Sequence, residues 1–306
     1  MSTQPFSTQK NSSITIGSFD GVHLGHQQLF KTLVEYARKH ELQTAVITFW
    51  PLPPMFFKRV PERYALTSPE ERAELIKKYG IDRVITLDFN QALSSLGPEE
   101  FLKVIKSHTS FVRLFAGADF ALGKDRSGDL NALQLLGSKM DFEVEVIDPK
   151  KEGAAVISSS QIRQDLANGK IREATRKLGR RYFLPGKVVH GESRGSKIGF
   201  PTANLEIAPG RLIPGNGVYV TRAWMTESDA MSVTNIGVRP TFDNPLPLPR
   251  VEPHLLDTNS DLYESEITLE FYDFIRPEKK FANAGKLIGQ IKKDIKYARK
   301  VFSHEE

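Results

Sequence analysis

Two histidines, His23 and His26, lie three residues apart in the segment GSFDGVHLGH, where a short apolar run gives way to a helical pattern. At the start of a helix, free backbone N–H groups and the positive end of the helix dipole favour an anion, and imidazole N–H groups add donors. The glycines allow the backbone to approach a phosphate closely. The spacing therefore indicates a phosphate site. Solvated or structural histidines are one alternative, and a zinc site, which has no third ligand at a recognised spacing, is another.

Two later segments have similar chemistry. In ISSSQIR, residues 157–163, serine hydroxyls can cap the amides of a helix and leave donors for an anion, while Arg163 can hold pyrophosphate through two hydrogen bonds. A capped helix without a ligand is the alternative. HGESRGSKI, residues 190–198, is a basic loop with glycines, suited to surrounding the phosphates of a nucleotide. The Pro-Thr-Ala-Asn that follows is, on its own, an ordinary turn.

The composition narrows the class of protein. The 306 residues contain 42 Lys and Arg against 37 Asp and Glu, and the net charge of +5 is dispersed, which suits anionic small molecules as well as nucleic acid. Because the chain has no cysteine, disulfides, thiolate metal sites and cysteine nucleophiles are excluded. No run of about 18 apolar residues could span a membrane, and the polar N-terminus lacks the apolar centre of a secretory signal. We therefore expect a cytoplasmic protein.

Hydrophobic periodicity divides the chain into two parts. Up to about residue 176, apolar runs such as SITIGSF and TAVITF alternate with helical patterns, which is typical of a doubly wound, Rossmann-like parallel sheet. After about residue 182, closely spaced strand candidates are separated by Gly and Pro, which indicates a small antiparallel β-barrel. An amphipathic pattern over about 283–302 predicts a C-terminal helix. We expect two domains, 1–180 and 181–306.

Beyond these patterns, the chain resembles the prokaryotic bifunctional riboflavin kinase/FAD synthetase family. The resemblance covers residues 13–302, and it is specific because many motifs match in order. It implies a nucleotidyltransferase-type α/β domain followed by a riboflavin kinase barrel. Besides GSFDGVHLGHQ and ISSSQIR, the matching segments are TFWPLPP (48–54), GADFALGKDRSGD (117–129), GFPTANL (199–205), NIGVRPTF (235–242), VEPHLLD (251–257), DLY (261–263) and IRPEKKF (275–281).

For the N-terminal domain, the resemblance implies transfer of AMP from ATP to FMN, which gives FAD and pyrophosphate. His23 and His26 would contact the ATP phosphates and stabilise the transition state. Asp119 would lie near the adenine, the ribose or the flavin. The residues implied to bind ATP and its phosphates in this domain are Gly17, Phe19, Asp20, Gly25, Ser158, Ser159, Ser160 and Arg163.

For the C-terminal domain, the resemblance implies phosphorylation of riboflavin by ATP to give FMN. Glu252 matches the family's base, which would take the proton of the riboflavin 5′-hydroxyl. Thr202 and Asn204 would supply oxygen ligands to Mg²⁺, which would serve both reactions. The other implied site residues are Gly195 and Gly199 for the ATP phosphates, and Asn235 and Arg276 for the flavin or nucleotide.

Several positions depart from the family's pattern, and three of them affect the N-terminal site most. Leu52 stands where the family has a histidine, and Ala121 and Leu122 stand where Arg-Phe is common. These changes leave open a riboflavin kinase with a weakened or lost adenylyltransferase site. A flavin-responsive binding or RNA-regulatory protein and another adenylyl- or cytidylyltransferase are further alternatives. We expect small-molecule partners, namely riboflavin, FMN and ATP, and neither a membrane nor a nucleic-acid partner; an oligomer is compatible with the sequence.

Overall fold

The computed structural model describes residues 11–153, 155–190, 198–238, 249–258 and 262–304. Internal contacts divide the chain into two compact units, Met1–Ser159 and Ser160–Glu306. Each unit contains one of the two architectures that the periodicity predicts.

The first unit is built on a five-stranded parallel sheet with strand order β3-β2-β1-β4-β5. Its strands are β1 (Ser12–Ile16), β2 (Gln43–Trp50), β3 (Arg83–Asp88), β4 (Phe111–Gly117) and β5 (Glu143–Ile147), followed by a hairpin of β6 (Lys151–Glu152) and β7 (Ala155–Val156). Its helices are α1 (Leu24–Lys39), α2 (Pro53–Phe56), α3 (Pro69–Lys77), α4 (Gln91–Ser94), α5 (Pro98–His108) and α6 (Leu130–Met140).

Burial explains why these segments form a parallel sheet. All five residues of the central strand β1 are buried, and helices connect the successive main strands, so the apolar runs are covered by crossover connections. Helix α1 buries Leu29, Phe30, Leu33 and Val34, which recur at helical spacing. Helix α3 begins with a capping box, in which the Ser68 hydroxyl and the Glu71 carboxylate each accept a backbone N–H bond of the other residue.

The second unit is a closed, six-stranded antiparallel barrel with strand order β10-β11-β12-β9-β8-β13. Among the described residues of this unit, three helices accompany the barrel, two before it and one after it. The helices are α7 (Ser159–Ala167), α8 (Ile171–Leu178) and α9 (Ala284–Phe302), and the strands are β8 (Phe183–Val189), β9 (Asn204–Glu206), β10 (Gly217–Trp224), β11 (Asp229–Gly237), β12 (Arg250–Leu255) and β13 (Glu266–Arg276).

The two faces of the barrel strands bury different side chains. On the face toward α9, Val218, Val220 and Val233 pack with Ala298 and Phe302 of that helix. The opposite face includes a buried hydroxyl cluster, in which the Thr221 Oγ1 lies 2.8 Å from the Ser232 Oγ and 2.6 Å from the Thr234 Oγ1. The period-2 alternation of each strand produces this separation.

The structure confirms the predicted fold class: a parallel sheet with helices, an antiparallel barrel and a C-terminal helix. The last helix begins within one residue of its predicted start, because the Asn283 side chain caps it by accepting the N–H of Lys286. Within the described ranges, no helix is both long and apolar enough to cross a membrane.

Candidate active sites

The first candidate site lies where the topology of the parallel sheet reverses. The chain runs from β1 outward to β2 and β3 on one side, and β4 and β5 lie on the other side. In open α/β sheets, ligands bind beyond the carboxyl ends of the two strands at such a switch point. The GSFDG segment follows β1 directly, and Asp119, which is exposed, follows β4. The fold therefore brings the loops that carry these motifs to the same edge.

The loop after β1 has an unusual backbone. Phe19 and Val22 have φ values of +45° and +43°, in the left-handed region that side-chain-bearing residues rarely adopt. Strained backbone of this kind persists where the surrounding structure enforces it, and it is concentrated at functional sites. A Cβ atom at Gly17 would lie 2.9 Å from the Phe19 ring, so a larger residue there would displace that ring.

The paired histidines form one stacked unit at the start of α1. His23 caps the helix, and its Nδ1 accepts the N–H of Gly25 at 3.2 Å, which leaves the proton of a neutral ring on Nε2. The His26 ring stacks on His23, with 3.6 Å between ring centroids, and meets the edge of Phe19. Because His23 is only 6% exposed, the two rings are held in place by packing. This arrangement can direct donors toward an anion, as the phosphate hypothesis requires.

Asp20 has a different environment from a ligand-facing carboxylate. It is 1% exposed, and its oxygens accept hydrogen bonds from the Leu66 N–H, the Thr67 N–H and the Thr67 hydroxyl at 2.9 to 3.0 Å. Arg72 is fully buried beside it, 3.8 Å away, and donates to the Thr48 hydroxyl and the Phe49 carbonyl. Asp20 thus joins the GSFDG loop to the segment that leads into α3.

Arg72 is a residue that the sequence reasoning missed. It lies three and four residues before Leu75 and Ile76, which are both buried, so helical periodicity places it on the inward face of α3. An arginine on an apolar helix face needs buried hydrogen-bond acceptors. The position of Arg72 on that face is therefore the sequence feature that could have identified it.

The serine-rich segment meets this loop at one residue. The Ser159 hydroxyl donates to the Asp20 carbonyl at 2.8 Å, and the neighbouring Ser158 is half-buried. Ser160 is exposed and Arg163 is half-buried on α7, in the second unit.

The departures from the family pattern include two core residues. Leu52 is 1% exposed, and Leu122 is 6% exposed within an apolar core cluster of the first unit. Ala121 is half-buried. The two leucines therefore serve packing.

The second candidate site is a row of side chains across five neighbouring barrel strands. Asn235 of β11 pairs with Glu252 of β12, and the pairing of Val251 with Leu205 aligns Glu252 with Asn204 of β9. In the other direction, Asn235 pairs with Val218 of β10, which pairs with Arg276 of β13. Residues opposite one another in a sheet project from the same face. All five line one cavity of about 520 Å³.

The cavity lies between this face of the barrel and the first half of α9. Leu287 and Ile291 of α9 form part of its apolar lining. Thr202 and His254 contribute polar groups, and the His254 Nδ1 lies 2.7 Å from the Pro201 carbonyl oxygen. A mostly apolar cavity with a few convergent polar groups is typical of a small-molecule site.

Two glycines were predicted to bind the ATP phosphates in this domain. Gly199 is exposed, with a φ of +84° that favours glycine. Gly195 lies outside the described residues.

The oxygen donors of the cavity suit magnesium better than a transition metal. Thr202, Asn204 and Glu252 offer hydroxyl, amide and carboxylate oxygens. Among the residues that the structure describes, no three His, Asp or Glu side chains cluster as metal ligands. Mg²⁺ fits such a set, because it commonly takes one or two protein oxygens and completes its shell with phosphates and water.

Comparison with protein families assigns one family model to each architecture. The FAD synthetase model matches residues 6–161, and the riboflavin kinase model matches residues 178–302. The chain therefore has both an FAD synthetase domain and a riboflavin kinase domain.

Curated relatives match over nearly the whole chain. A bifunctional riboflavin kinase/FMN adenylyltransferase of Buchnera aphidicola is 35% identical, covering 96% of this chain and 94% of the relative. The enzyme of the same description from Bacillus subtilis is also 35% identical, covering 97% and 94%. A crystal structure described as a macrolide-efflux protein from Streptococcus pneumoniae has a TM-score of 0.85 and 31% identity, covering 94% of each chain. The curated relatives align with nearly the whole of this chain, across both of its domains, so the chain belongs to the bifunctional riboflavin kinase/FMN adenylyltransferase family.

Proposed function

We propose that the barrel cavity phosphorylates riboflavin with ATP, and that the site after β1 transfers AMP from a second ATP to the resulting FMN. The observation that carries the first assignment is the row formed by Asn204, Glu252, Asn235 and Arg276 along one cavity. It gathers a candidate base, amides and a cation around a space suited to a flavin.

In the kinase reaction, the Glu252 carboxylate takes the proton from the riboflavin 5′-hydroxyl. The hydroxyl oxygen forms a bond to the γ-phosphorus of ATP, the bond to the β,γ-bridging oxygen breaks, and ADP leaves. A positioned general base of this kind contributes about 10² to 10⁴ in rate. Glu252 is half-buried in the cavity wall, which holds its carboxylate in a defined place while leaving it accessible.

Thr202 and Asn204 are the residues that would hold Mg²⁺ in this site, beside Glu252. The ion would neutralise phosphate charge. Thr202 lies next to Pro201, whose carbonyl is bound by His254, so the loop before β9 is attached to β12. The Ala203 N–H, which donates to the Pro253 carbonyl at 2.9 Å, adds a second attachment.

In the adenylyl transfer, a phosphate oxygen of FMN attacks the α-phosphorus of ATP, and pyrophosphate leaves as the α,β-bridging bond breaks. His23 and His26 donate to the negative charge that develops on the phosphate oxygens. Gly17, Phe19 and Gly25 shape the backbone around the nucleotide, and Asp20 holds that loop through Thr67. The other proposed contacts are Ser158, Ser159, Ser160, Arg163 and Asp119.

Product analysis tests both assignments. Purified protein is incubated with riboflavin, ATP and Mg²⁺, and the flavins are separated by chromatography. We expect FMN followed by FAD. FMN without FAD would leave a kinase whose first site is inactive, and no conversion would contradict the proposal. Omission of Mg²⁺ should stop both steps.

We further propose a cytoplasmic enzyme whose partners are riboflavin, FMN and ATP, without a nucleic-acid partner. The matches to the FAD synthetase and riboflavin kinase models support small-molecule partners. Salt-sensitive RNA binding at micromolar protein would contradict it.

A further inference from the structure

Helix α9 contributes a buried carboxylate to the rim of the kinase cavity. The Asp294 side chain, 3% exposed, accepts from the Arg276 Nε at 3.0 and 3.2 Å and from the Arg276 Nη2 at 2.8 Å. Gln290, one helical turn earlier, donates from its Nε2 to the Asp294 Oδ1 at 2.8 Å. Both Arg276 and Asp294 line the cavity.

These contacts determine how the guanidinium of Arg276 is oriented. Its Nε–Nη2 edge meets the carboxylate, and its Nη1 donates to the Pro277 carbonyl at 3.1 Å. The Phe281 ring lies 5.7 Å from its central carbon. Arg276 is consequently a fixed planar group at the end of the row that contains Glu252, with a side chain 12% exposed.

We propose that Asp294, supported by Gln290, is a positioning residue of the riboflavin kinase site, which holds Arg276 in the orientation that binds the substrate. This inference rests on the function proposed above. Asp294 touches neither the transferred phosphoryl group nor the attacking oxygen, and it acts through the arginine.

Anchoring of α9 does not by itself require this ion pair. Ala298 and Phe302 pack against the barrel, and the Tyr297 hydroxyl donates to the Asp273 carboxylate at 2.7 Å. A buried ion pair is commonly no more stabilising than apolar residues of similar volume, because both charges lose hydration. A buried carboxylate at the cavity rim is therefore better explained by the orientation that it imposes on Arg276.

Two variants separate positioning from simple attachment of the helix. Asp294→Asn keeps the shape but removes the charge that orients Arg276, whereas Tyr297→Phe removes an attachment of α9 away from the cavity. We expect Asp294→Asn to lower kcat/KM for riboflavin by about 10- to 100-fold, to weaken riboflavin binding measured by flavin fluorescence, and to leave FAD formation from supplied FMN unchanged. Tyr297→Phe should stay within about twofold of the wild type for riboflavin, as expected for a contact that touches no substrate.

A double-mutant cycle with Arg276→Ala tests the route of the effect. If Asp294 acts through Arg276, Asp294→Asn causes no further loss in the Arg276→Ala background. An undiminished loss there, or equal losses for Asp294→Asn and Tyr297→Phe, would overturn the inference. If Asp294→Asn does not fold, Gln290→Met decides: a smaller decrease in riboflavin affinity supports the inference, and none contradicts it. A wild type that neither binds nor phosphorylates riboflavin would instead refute the proposed function.

Discussion

Glu252 occupies a position where a carboxylate can act on a substrate hydroxyl. In the row of cavity residues it is flanked by Asn204 and Asn235 on the neighbouring strands. Neither neighbour carries a charge that would neutralise it. The amides can hold substrate groups while the carboxylate receives the proton.

Replacing Glu252 by Gln should lower kcat for riboflavin phosphorylation by about 10² to 10⁴, because the amide cannot accept the hydroxyl proton. Steady-state measurement of FMN formation checks this expectation. Glu266→Gln, an exposed change on β13, is the matched control and should retain the wild-type rate. Near-normal turnover of Glu252→Gln would show that another group is the base.

Replacing His26 by Ala should lower FAD formation from FMN by about 10², the usual loss when one donor to a developing charge is removed. His108→Ala, which removes a histidine at the end of α5, should leave the rate unchanged. A loss of less than about threefold for His26→Ala would be too small for a direct donor.

At the scale of single residues, the sequence indicates which side chains belong to a site more readily than it indicates which side chains are buried beside them. The motifs predicted that Glu252, Asn235 and Arg276 belong together, and the barrel register places them in one row. The same reasoning missed Asp294, because a lone carboxylate in a lysine-rich helix has no motif. Its buried position depends on how α9 rotates against the barrel, which no local pattern reveals.

Replacing either of two helical glycines by alanine should change the free energy of unfolding, and in opposite directions. A Cβ atom at Gly137 of α6 would lie 2.4 Å from the Phe142 carbonyl oxygen, whereas one at Gly289 of α9 would meet no atom within 4 Å. Gly137→Ala should therefore destabilise the protein by about 1–3 kcal/mol. Gly289→Ala should stabilise it by about 0.5–1 kcal/mol, since alanine loses less backbone entropy in a helix. Denaturant unfolding measures both; equal signs would contradict the placement of one helix.

The barrel should lose stability at alkaline pH through Tyr219. Burial raises the pKa of this phenol well above its usual value, and its hydroxyl bonds to the Gly215 carbonyl. Above about pH 10 the unfolded chain ionises this tyrosine while the folded barrel keeps it protonated, so the free energy of unfolding falls as pH rises.

Between pH 9 and 11, ionisation of Tyr219 in the unfolded chain should lower the free energy of unfolding by about 1.4 kcal/mol. Tyr219→Phe should remove that part of the pH slope, as measured by urea unfolding across the range. Phe271→Leu, a core change beside Tyr219, should lower stability without changing the slope. A slope unaltered by Tyr219→Phe would contradict the raised pKa.

At the scale of elements, periodicity was sufficient for the long segments and insufficient for the short ones. Strand β13 and helix α9 follow clear patterns of 2 and 3.6 residues, and β2 is a continuous buried run. Strand β9 has only three residues, too few to show a period, and it begins at the last residue of the Pro-Thr-Ala-Asn segment. Its pairing with β8 and β12 accounts for its extended form.

For the whole molecule, the two reactions should be separable. His26 and Glu252 lie in different compact units. Glu252→Gln should make FAD efficiently only from supplied FMN, and His26→Ala should accumulate FMN because its FAD formation is about 10²-fold slower. A mixture of the two variants should restore FAD formation from riboflavin after a lag, because free FMN passes between molecules. A mixture that accumulates FMN without FAD would mean that FMN must be transferred within one chain.

The order and class of the two architectures could be predicted from sequence, because alternation between strand and helix patterns stops near residue 182. The boundary between the two units is less evident from the sequence, because the helical patterns of α7 and α8 continue the α/β pattern. Contacts group these helices with the barrel, where Arg172 of α8 holds Asp273 of β13 through two hydrogen bonds.

The row of cavity residues across five strands has an evolutionary consequence. A single-residue insertion or deletion within β12 would turn Glu252 to the opposite face and bring Val251 or Pro253 toward the cavity. The barrel could still close through the same backbone hydrogen bonds, but the carboxylate would be lost from the cavity. Insertions and deletions should therefore occur in the connections between strands during evolution. The strands themselves should tolerate only substitutions.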